Sequence, residues 1–430
     1  MAIKILIGGS PCTYWSIAQK NNRETEASGM GWELFKNYLI AKEKFKPDFF
    51  LYENNKSAAQ SIKDQIAEEL GVGIDPEVRF THINSALVSA QNRQRFYVTN
   101  FGDIEQPDDR GILLRDILET GADAIGLGYR GRTEDGKWKK RFESNGESKS
   151  NALTTAQTDS MVAEPLYVGE VPGHPGTYRN GKQPSQQYRV YSPDSKAVAV
   201  TTCAITNVAQ TVRIGTLPRS DGEMIDHQQS RIYSIDAKST NLNANGGGQG
   251  AKTGLYAVPA SLGNSSLPVY EVRDGIITIK DKQYPIKLSD GFYIIRKLTP
   301  VECERLQTLP DGYTKAVSNA QRYKGLGNGW TAEIIIWLLN HALKDVPKDE
   351  EIVVLSMYDG IATGRYCLDK MGFTNVKYHA YEIDKYPIQV AMDNYPDIIQ
   401  HGDAFAVRED DWKPPQTRSE WLDELLGGDS

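Results

Sequence analysis

The sequence predicts an α/β protein with a β-rich insertion in its middle. Residues 1–100 alternate apolar runs with segments of helical spacing, a pattern that favours a parallel sheet covered by helices. Residues 121–290 are instead rich in Gly, Ser, Thr, Asn and Gln and contain short β-type runs. A second α/β stretch follows after residue 351. With 430 residues, the chain is long enough for two or three domains of about 150 residues each.

The first α/β region opens with an apolar run that ends in two glycines, as expected for a strand that enters a tight turn. A helical pattern, a short buried strand, an amphipathic helix stopped by Gly71 and another strand-like run follow. We expect these elements, in chain order, at Ile3–Ile7, Trp32–Ala41, Asp48–Tyr52, Ser57–Leu70 and Arg95–Asn100.

The insertion contains an imperfect repeat with a spacing of roughly 40 residues. Its copies lie at 148–155, 195–202 and 237–244, and similar runs at 188–192 and 230–234 precede the last two. A period of this length indicates a modular array rather than a continuous α/β core. Two interpretations stay open: hairpins that only pack, or a recognition surface that presents similar polar loops several times.

The last third of the chain returns to α/β patterning. Thr299-Pro300 has the residue types of a helix start, and an apolar helix is expected at 330–343. A charged linker at 344–351 precedes a strand at 352–356, a helix at 365–371 and a strand at 378–383.

The turn at 358–364 and the acidic residue Glu382 have the layout of a nucleotide-binding βαβ unit. The glycines of such a turn allow close backbone approach, and a carboxylate at the end of the second strand can bind ribose hydroxyls. The spacing is not that of the full dinucleotide fingerprint. It fits a nucleoside cofactor without a pyrophosphate better than NAD.

Charge and composition exclude several classes of function. The net charge of −7 argues against a protein that coats nucleic acid by bulk charge, but not against a site-specific DNA enzyme with one basic face. Residues 121–295 carry 20 Lys and Arg against 17 Asp and Glu, whereas residues 341–430 carry 9 against 18. No apolar stretch is long enough to cross a membrane, so no membrane partner is expected.

The four cysteines are too few for a disulfide framework, and none forms a C-x-x-C pair for zinc. The N-terminal segment lacks a signal-peptide cleavage site. We therefore expect a cytoplasmic protein with reduced thiols and no bound metal. Cys203, Cys303 and Cys367 are interpreted as small buried side chains.

Several short motifs occur in a fixed order along the two α/β regions. They are Gly8-Gly9-Ser10-Pro11-Cys12 with Ser16, Glu53-Asn54, the segment 91–97, the segment 296–307, Gly327-Asn328, the turn 358–364, Glu382-Ile383-Asp384 and Gly402-Asp403. Together they resemble the DNA (cytosine-5) methyltransferases, over residues 1–120 and 296–430. In most members the cofactor turn precedes the Pro-Cys loop. Here it follows, so the chain resembles a circularly permuted member of phage or bacterial type.

The resemblance implies a Rossmann-like sheet of the S-adenosylmethionine-dependent methyltransferases, with helices on both faces, plus a β-rich target-recognition domain. It divides the chain into a catalytic half at 1–120, the target-recognition domain with its repeats at 121–295, a helical return segment at 296–345 and a cofactor-binding half at 346–430. The implied reaction is site-specific methylation of C5 of cytosine in double-stranded DNA.

The chemistry of that reaction explains the residue types. C5 of cytosine is a poor nucleophile, so a thiolate must first add to C6, and Cys12 follows a glycine turn at a strand end where a thiolate can be exposed. Glu53 would supply the proton at N3. Arg95 is expected to contact the ring at O2, with Arg93 and Gln91 supporting the site.

The methyl donor implied by the resemblance is S-adenosylmethionine. Glu382 would bind its ribose, Ile383 would pack on its adenine and Asp403 would accept from the adenine amino group. The remaining residues expected to line the cofactor site are Pro11, Asn328, Tyr358, Asp359, Gly360, Ile361, Ala362 and Thr363.

The target base must leave the duplex to reach Cys12, so base flipping is expected. The segment Thr13–Met30 suits a mobile loop that closes over DNA, although a static surface loop has comparable weight. Ser16, Gln91 and Arg93 are expected to contact DNA. The protein is expected to act on double-stranded DNA as a monomer, with a cognate restriction endonuclease or a phage context as the setting.

Two alternatives remain open at this stage. The first keeps the chemistry but changes the substrate to tRNA, and the large polar insertion argues against it. The second is a non-catalytic DNA-binding paralogue, which the intact Cys12, Glu53, Arg93 and Arg95 argue against.

Overall fold

The computed structural model describes residues 2–11, 14–15, 23–119 and 298–425, together with shorter segments between them. Those segments are 127–134, 137–144, 169–170, 189–190, 213–216, 231–235, 238–239, 255–259, 269–279, 281–285 and 290–296. Cys12, Ser16 and the first two copies of the repeat therefore lie outside the described residues. The chain forms two compact units, one of 1–117, 236–253 and 298–430, the other of 118–235 and 254–297.

The strands and helices are numbered in chain order. The strands are β1 (Ile3–Gly8), β2 (Phe49–Asn55), β3 (Arg79–Asn84), β4 (Gln94–Thr99), β5 (Leu127–Glu134), β6 (Lys137–Ser144), β7 (Gly169–Glu170), β8 (Arg189–Val190), β9 (Arg213–Thr216), β10 (Arg231–Ser234), β11 (Leu255–Pro259), β12 (Val269–Arg273), β13 (Ile276–Ile279), β14 (Lys282–Pro285), β15 (Gly291–Arg296), β16 (Ile352–Met357), β17 (Val376–Tyr381) and β18 (Ile399–Gln400). The α-helices are α1 (Gly29–Phe45), α2 (Gln60–Leu70), α3 (Pro300–Leu306), α4 (Asn319–Asn328), α5 (Ala332–Leu343), α6 (Thr363–Lys370), α7 (Lys385–Asn394) and α8 (Arg418–Leu425).

The first unit is built on a seven-stranded sheet with the order β18-β17-β16-β1-β2-β4-β3. The five strands from β18 to β2 run parallel, whereas β4 is antiparallel to both β2 and β3. β1 and β16 are neighbours in register, with Ile5 opposite Val354. The predicted α/β architecture is confirmed, and the two α/β regions of the sequence share one sheet.

Helices cover both faces of this sheet because its central strands are apolar on both sides. Residues of α1 and α2 form one core cluster with Leu6 and Leu355. On the other face α6 lies against β1, so closely that a side chain at Gly364 would meet Ile7 at 2.3 Å. Strands buried on both faces read as continuous apolar runs, which is why β1 and β16 were recognisable in the sequence.

Helix α3 begins where the Thr-Pro pair predicts. The Thr299 hydroxyl accepts from the Glu302 amide at 3.2 Å, and the Glu302 carboxylate accepts from the Thr299 amide at 2.8 Å, which completes a capping box. Pro300 occupies the first helical turn. In contrast, β3 was not predicted, and α4 was predicted only as part of the helical segment expected at 296–345. β3 is only partly buried, and α4 carries two glycines that lower its helix propensity.

The second unit contains a seven-stranded sheet with the order β14-β13-β12-β15-β11-β10-β9. Its pairings are antiparallel except for β10 with β11. This agrees with the β-rich character expected of the insertion. One boundary differs from the expected 121–295, because residues 236–253 group with the first unit, where Lys238 and Ser239 contact the segment 86–92.

Within the described part of the chain, no helix combines the length and the apolar character that crossing a membrane would require.

Candidate active site

A cavity of about 510 Å³ opens in the first unit at the carboxyl ends of the parallel strands. We call one side of it the arginine wall, made of Pro11, Glu53, Arg93 and Arg95. We call the other side the turn wall, made of Tyr358, Asp359, Gly360, Glu382, Ile383 and Asp403. Asn328 and Thr363 also line the cavity. The structure thus brings most of the residues predicted to form the site into one cavity.

The turn after β1 is held between its two neighbouring strands. A side chain on Gly8 would lie 2.5 Å from the carbonyl oxygen of Met357, and one on Gly9 would lie 2.2 Å from that of Glu53. Only glycine permits this close approach. The Asn54 side chain donates to the Ser10 carbonyl at 2.9 Å, so a buried network fixes the backbone that leads into Pro11.

Tyr52 completes this network beneath the turn. Its hydroxyl lies 2.7 Å from the Ser10 hydroxyl and accepts from the Asn54 amide at 3.2 Å. Burial raises the pKa of Tyr52 well above its ordinary value, so it stays protonated. A buried network in which every member has a partner fixes one arrangement of the backbone.

Glu53 and Arg95 form the central ion pair of the arginine wall. Arg95 Nε lies 2.8 Å from Glu53 Oε1, and both side chains are largely buried. Glu53 lies inside β2 opposite Tyr97, rather than at the strand end as expected, and Arg95 is its diagonal neighbour on the same face of β4. The indole N–H of Trp330 donates to Glu53 Oε2 at 3.3 Å. Trp330 was missed as a site residue.

The Arg93 guanidinium reaches across the site to a different element. It donates to the Gly327 carbonyl at 3.2 Å and to the Gly329 carbonyl at 2.7 Å. These two carbonyls flank Asn328, which lines the cavity. Arg93 therefore fixes the end of α4 against the arginine wall. Nothing in the local sequence around residue 93 predicts this contact.

Gln91 is completely buried and does not line the cavity. Neither its side-chain oxygen nor its side-chain nitrogen has a hydrogen-bond partner among the described residues. A supporting position behind the two arginines agrees with this placement better than the direct contact with DNA that was expected for Gln91.

The turn wall depends on an unusual backbone path after β16. Tyr358 and Ala362 both adopt left-handed conformations, with φ of 61° and 59°, and Gly360 between them has φ of 66°. Such strain at non-glycine residues persists only where the surroundings enforce it. The Tyr358 hydroxyl donates to the Leu34 carbonyl at 2.7 Å and accepts from Asn37, which ties the turn to α1.

Asp359 places a buried carboxylate in this turn. Its Oδ1 accepts from the hydroxyls of Ser356 and Tyr378, each at 2.7 Å. Its Oδ2 is buried without a hydrogen-bond partner among the described residues. Burial raises the pKa of Asp359 to about 6, because the low-dielectric site disfavours the charged form.

Glu382 follows β17 directly and braces the turn wall. Its Oε2 accepts from the Gly360 amide at 3.0 Å, and its Oε1 accepts from the Ile383 and Asp384 amides at 2.8 Å. Oε1 already has two donors, whereas Oε2 keeps a lone pair for a further donor. Ile383 is 74% exposed in the cavity wall, which is unusual for so large an apolar side chain.

The residues of this wall fit a nucleoside. The apolar Ile383 lines the cavity together with the carboxylates of Glu382 and Asp403, and the Asp403 side chain accepts from the Phe405 amide at 3.0 Å. A flat apolar ring that bears hydroxyl and amino donors presents the complementary chemistry. Phe405 lines the same region and was missed from the sequence.

Two residues expected in the cofactor site lie behind it. Ile361 and Ala362 are buried and do not line the cavity. Their carbonyls accept from the Tyr313 hydroxyl at 2.9 and 3.2 Å, so they hold the turn in place.

The loop expected at Thr13–Met30 is anchored at its two ends. The Glu24 amide donates to the Tyr14 carbonyl at 2.9 Å, and the buried Trp15 donates its indole N–H to the Glu24 carboxylate at 3.1 Å. Gly29 and Met30 already belong to α1. The residues between these anchors, 16–22, lie outside the described part, and whether the loop moves stays a prediction.

The comparisons with known proteins agree on one family. The model of the family described as C-5 cytosine-specific DNA methylase matches residues 1–341. The chain is 23% identical over 373 residues to the orphan methyltransferase M.SPRI of Bacillus phage SPR, with 77% of this chain and 80% of that protein covered. It is also 23% identical over 432 residues to the orphan methyltransferase M.Rho11sI of Bacillus phage rho11s, with 77% and 83% covered.

Two solved structures are similar to the chain at low sequence identity. The Entamoeba histolytica methyltransferase EhMeth aligns with a TM-score of 0.39 and 10% identity, over 80% of this chain and 78% of that one. The S. pombe Dnmt2 methyltransferase aligns with a TM-score of 0.32 and 10% identity, over 80% and 99%.

Proposed function

The chain belongs to the C-5 cytosine-specific DNA methylase family, as a DNA methyltransferase with a Rossmann-like sheet, and we propose that it methylates C5 of cytosine in duplex DNA with S-adenosylmethionine as donor. The observation that supports this proposal is that Glu53 and Arg95 line the same cavity as the turn wall. Methyl transfer to a base requires that the base and the nucleoside cofactor be held next to each other. A cavity with acid-base groups and a nucleoside-binding wall meets this requirement.

In the proposed mechanism, the Cys12 thiolate adds to C6 of the flipped cytosine. Glu53 delivers a proton to N3, and Arg95, paired with Glu53 at 2.8 Å, holds that carboxyl in place and faces the O2 side of the ring. The activated C5 then attacks an electrophilic methyl carbon, which S-adenosylmethionine supplies when bound. The C5 proton then passes to solvent water, the thiolate leaves C6 and the N3 proton returns to Glu53, which restores the ring and the enzyme.

The turn wall holds the cofactor in this proposal. Glu382 accepts from the ribose hydroxyls, the exposed Ile383 packs on the adenine and Asp403 accepts from the adenine amino group. Tyr358, Asp359, Gly360 and Thr363 would hold the methionine portion, together with Pro11 and Asn328, since all six line the cavity.

Duplex DNA is the favoured substrate because the chain carries the large second unit with a β-rich sheet. In the proposal this unit reads the target sequence through its Arg, Lys, Asn and Gln side chains. Two relatives are named orphan methyltransferases. We extend that property to this chain, which then acts without a cognate restriction endonuclease.

One experiment tests the function. Purified protein, tritiated S-adenosylmethionine and a random-sequence duplex pool should give 5-methylcytosine at a defined sequence, whereas tRNA should accept no label. A duplex with 5-fluorocytosine at the mapped target should trap the protein covalently, because the fluorine cannot leave as a proton does. Label in tRNA alone would assign the RNA substrate, and DNA binding with neither label nor trapping would assign a non-catalytic protein.

We also propose that the catalytic domain is circularly permuted. The family match ends at residue 341, before the turn at 358–364, and β1 pairs in register with β16. Lys4 Nζ on β1 lies 2.9 Å from the Glu420 carboxylate on α8, which places the two elements side by side.

The permutation has its own test. A chain that joins Ser430 to Met1 by a flexible linker and opens within 344–351 should fold, bind S-adenosylmethionine and methylate the same target, since loop closure costs rise slowly with length. A folded rearranged chain that cannot bind cofactor would contradict the permutation.

A further inference from the structure

Lys238 belongs to the insertion in sequence, but its side chain is buried in the first unit. The residue is 0% exposed, and its ammonium donates to the carbonyls of Ala86 at 2.7 Å, Ser89 at 3.0 Å and Ile112. Asp109 Oδ1 lies 3.9 Å from the same nitrogen. The three N–H donors of the ammonium therefore match three main-chain acceptors.

Ser239 adds main-chain bonds next to this contact. Its amide donates to the Ala90 carbonyl at 2.7 Å, and its carbonyl accepts from the Asn92 amide at 3.0 Å. The two bonds flank Gln91, which forms an isolated parallel bridge with Ser239. Lys238 and Ser239 together thus hold the segment 86–92 from one side, and we call them the clamp.

The segment held by the clamp leads directly into the arginine wall. The Ser85 amide donates to the Arg93 carbonyl at 2.9 Å, and Asn84 accepts from the Arg93 amide at 3.0 Å, so the segment returns to the start of β4. Arg93 then reaches the Gly327 and Gly329 carbonyls. A shift of the segment therefore moves Arg93, and Arg95 two residues later.

We propose that Lys238 is a positioning residue for methyl transfer, whose ammonium fixes the segment 86–92 and through it Arg93 and Arg95. This inference rests on the proposed function of the same cavity. Lys238 does not line the cavity and touches neither the base nor the cofactor.

The charge on Lys238 distinguishes its contact with the segment 86–92 from ordinary apolar packing. An ammonium buried away from water is tolerated only when its donors are satisfied and a counter-charge is near. Burial lowers the pKa of Lys238, and the carboxylates of Asp109 and Asp116 oppose that shift. A methionine would fill similar space but leave three buried carbonyls without their donor, so the segment should loosen while the surrounding core stays filled.

The test compares three variants of the full chain. Lys238→Met removes the ammonium, and Lys238→Gln keeps two donors on a shorter neutral side chain. Lys4→Met is the matched control, because Lys4 is also largely buried and its ammonium pairs with Glu420 at the other end of the sheet. For each variant the measurements are kcat on the mapped duplex, the Kd of S-adenosylmethionine by calorimetry, and hydrogen exchange of peptides that cover 85–95.

We expect Lys238→Met to lower kcat by about 10- to 100-fold, since a displacement of about 1 Å costs this much in a reacting site. The Kd of S-adenosylmethionine should stay within about twofold, and exchange at 85–95 should rise about tenfold. For Lys238→Gln, kcat and the exchange at 85–95 should lie between the values of Lys238→Met and the wild type. Lys4→Met should leave both quantities unchanged.

The outcomes separate the positioning role from a general one. An unchanged kcat, unchanged exchange at 85–95, or an equal loss of kcat and cofactor affinity would overturn the proposal. Failure of both Lys238 variants to fold would also overturn it and make the ammonium a folding determinant. A wild-type protein that folds but forms no 5-methylcytosine would refute the proposed function instead, and the exchange measurement would still decide whether the clamp holds the segment.

Discussion

The charged side chains of the two walls differ in how far along the chain their contacts reach. On the turn wall, Glu382 accepts from the next two amides and from Gly360, and Asp403 accepts from the amide two residues later. On the arginine wall, Glu53 contacts Trp330, 277 residues away, and Arg93 contacts carbonyls 234 and 236 residues away.

This difference teaches that one cavity can combine two kinds of preorganisation. On the turn wall, Glu382 and Asp403 are held mainly by backbone amides near them in the sequence, so a single substitution of either should remove one ligand contact and little else. The arginine wall depends on contacts between distant elements, and residues that act as a unit show non-additive losses.

Cys12→Ala should have the largest effect. We expect methyl transfer to be abolished while S-adenosylmethionine and DNA still bind, because the nucleophile is lost without a change in the fold. Calorimetry and a methylation assay measure these properties. Cys367→Ala is the control, since burial raises the pKa of that thiol and its alanine variant should turn over normally. Near-normal turnover by Cys12→Ala would contradict the assignment.

Glu53→Gln should lower kcat by about 10²- to 10⁴-fold, the range for loss of a general acid. The amide keeps the shape of the side chain but gives up both the acid and the charge pairing with Arg95. The Kd of S-adenosylmethionine should hardly change if the two walls act separately. A large loss of S-adenosylmethionine affinity would show that the two walls do not act separately. Trp330→Phe, which removes one N–H donor to Glu53, should lower kcat much less.

Asp403→Ala should raise the Kd of S-adenosylmethionine by about 10- to 100-fold, as expected for a lost charge-assisted hydrogen bond. DNA affinity should stay within about twofold, and calorimetry with each ligand gives both values. Asp397→Ala is the control, because Asp397 pairs with Arg365 away from the cavity. Equal losses for both ligands would indicate misfolding or a wrong cofactor assignment.

The smallest effect should come from Asp359, as a pH dependence of the free energy of unfolding. Its folded-state pKa of about 6 lies above the ordinary value of 3.8, so the folded protein holds the proton more tightly than the unfolded chain. The stabilisation is present below the unfolded pKa and is lost as pH rises through about 6. Between these limits the free energy of unfolding should fall by about 2–3 kcal/mol relative to Asp359→Asn. Denaturant titrations at pH 4, 5, 6 and 7 measure this difference. If the free energies of unfolding of the wild type and Asp359→Asn changed equally with pH, the prediction would be wrong.

Local patterns explain which parts could be predicted. Continuous apolar runs predicted β1 and β16, and the Thr299-Pro300 pair predicted the start of α3. Pro11, Glu53, Arg95, Glu382 and Asp403 were found because each sits in a short motif. These residues line one cavity, as the resemblance implied.

Long-range contacts explain what was missed. Trp330 is part of the arginine wall only because its indole reaches Glu53 on a distant strand. Lys238 was placed in a target-recognition domain because no local signal shows that its ammonium is buried against Ala86 and Ser89. Ile361 sits in the predicted turn, yet its buried side chain packs behind the cavity.

The pairing of β1 with β16 also bears on how the chain folds during synthesis. The two central strands are separated by about 350 residues, so β1 leaves the ribosome long before its neighbour exists. Until then the edge of β1 that pairs with β16 has no strand partner, whereas β2 can already pair with its other edge. Pairings of such high sequence separation form slowly, and exposed strand edges promote aggregation. We expect the first unit to complete its sheet only after translation has passed β16, with a corresponding demand for chaperones.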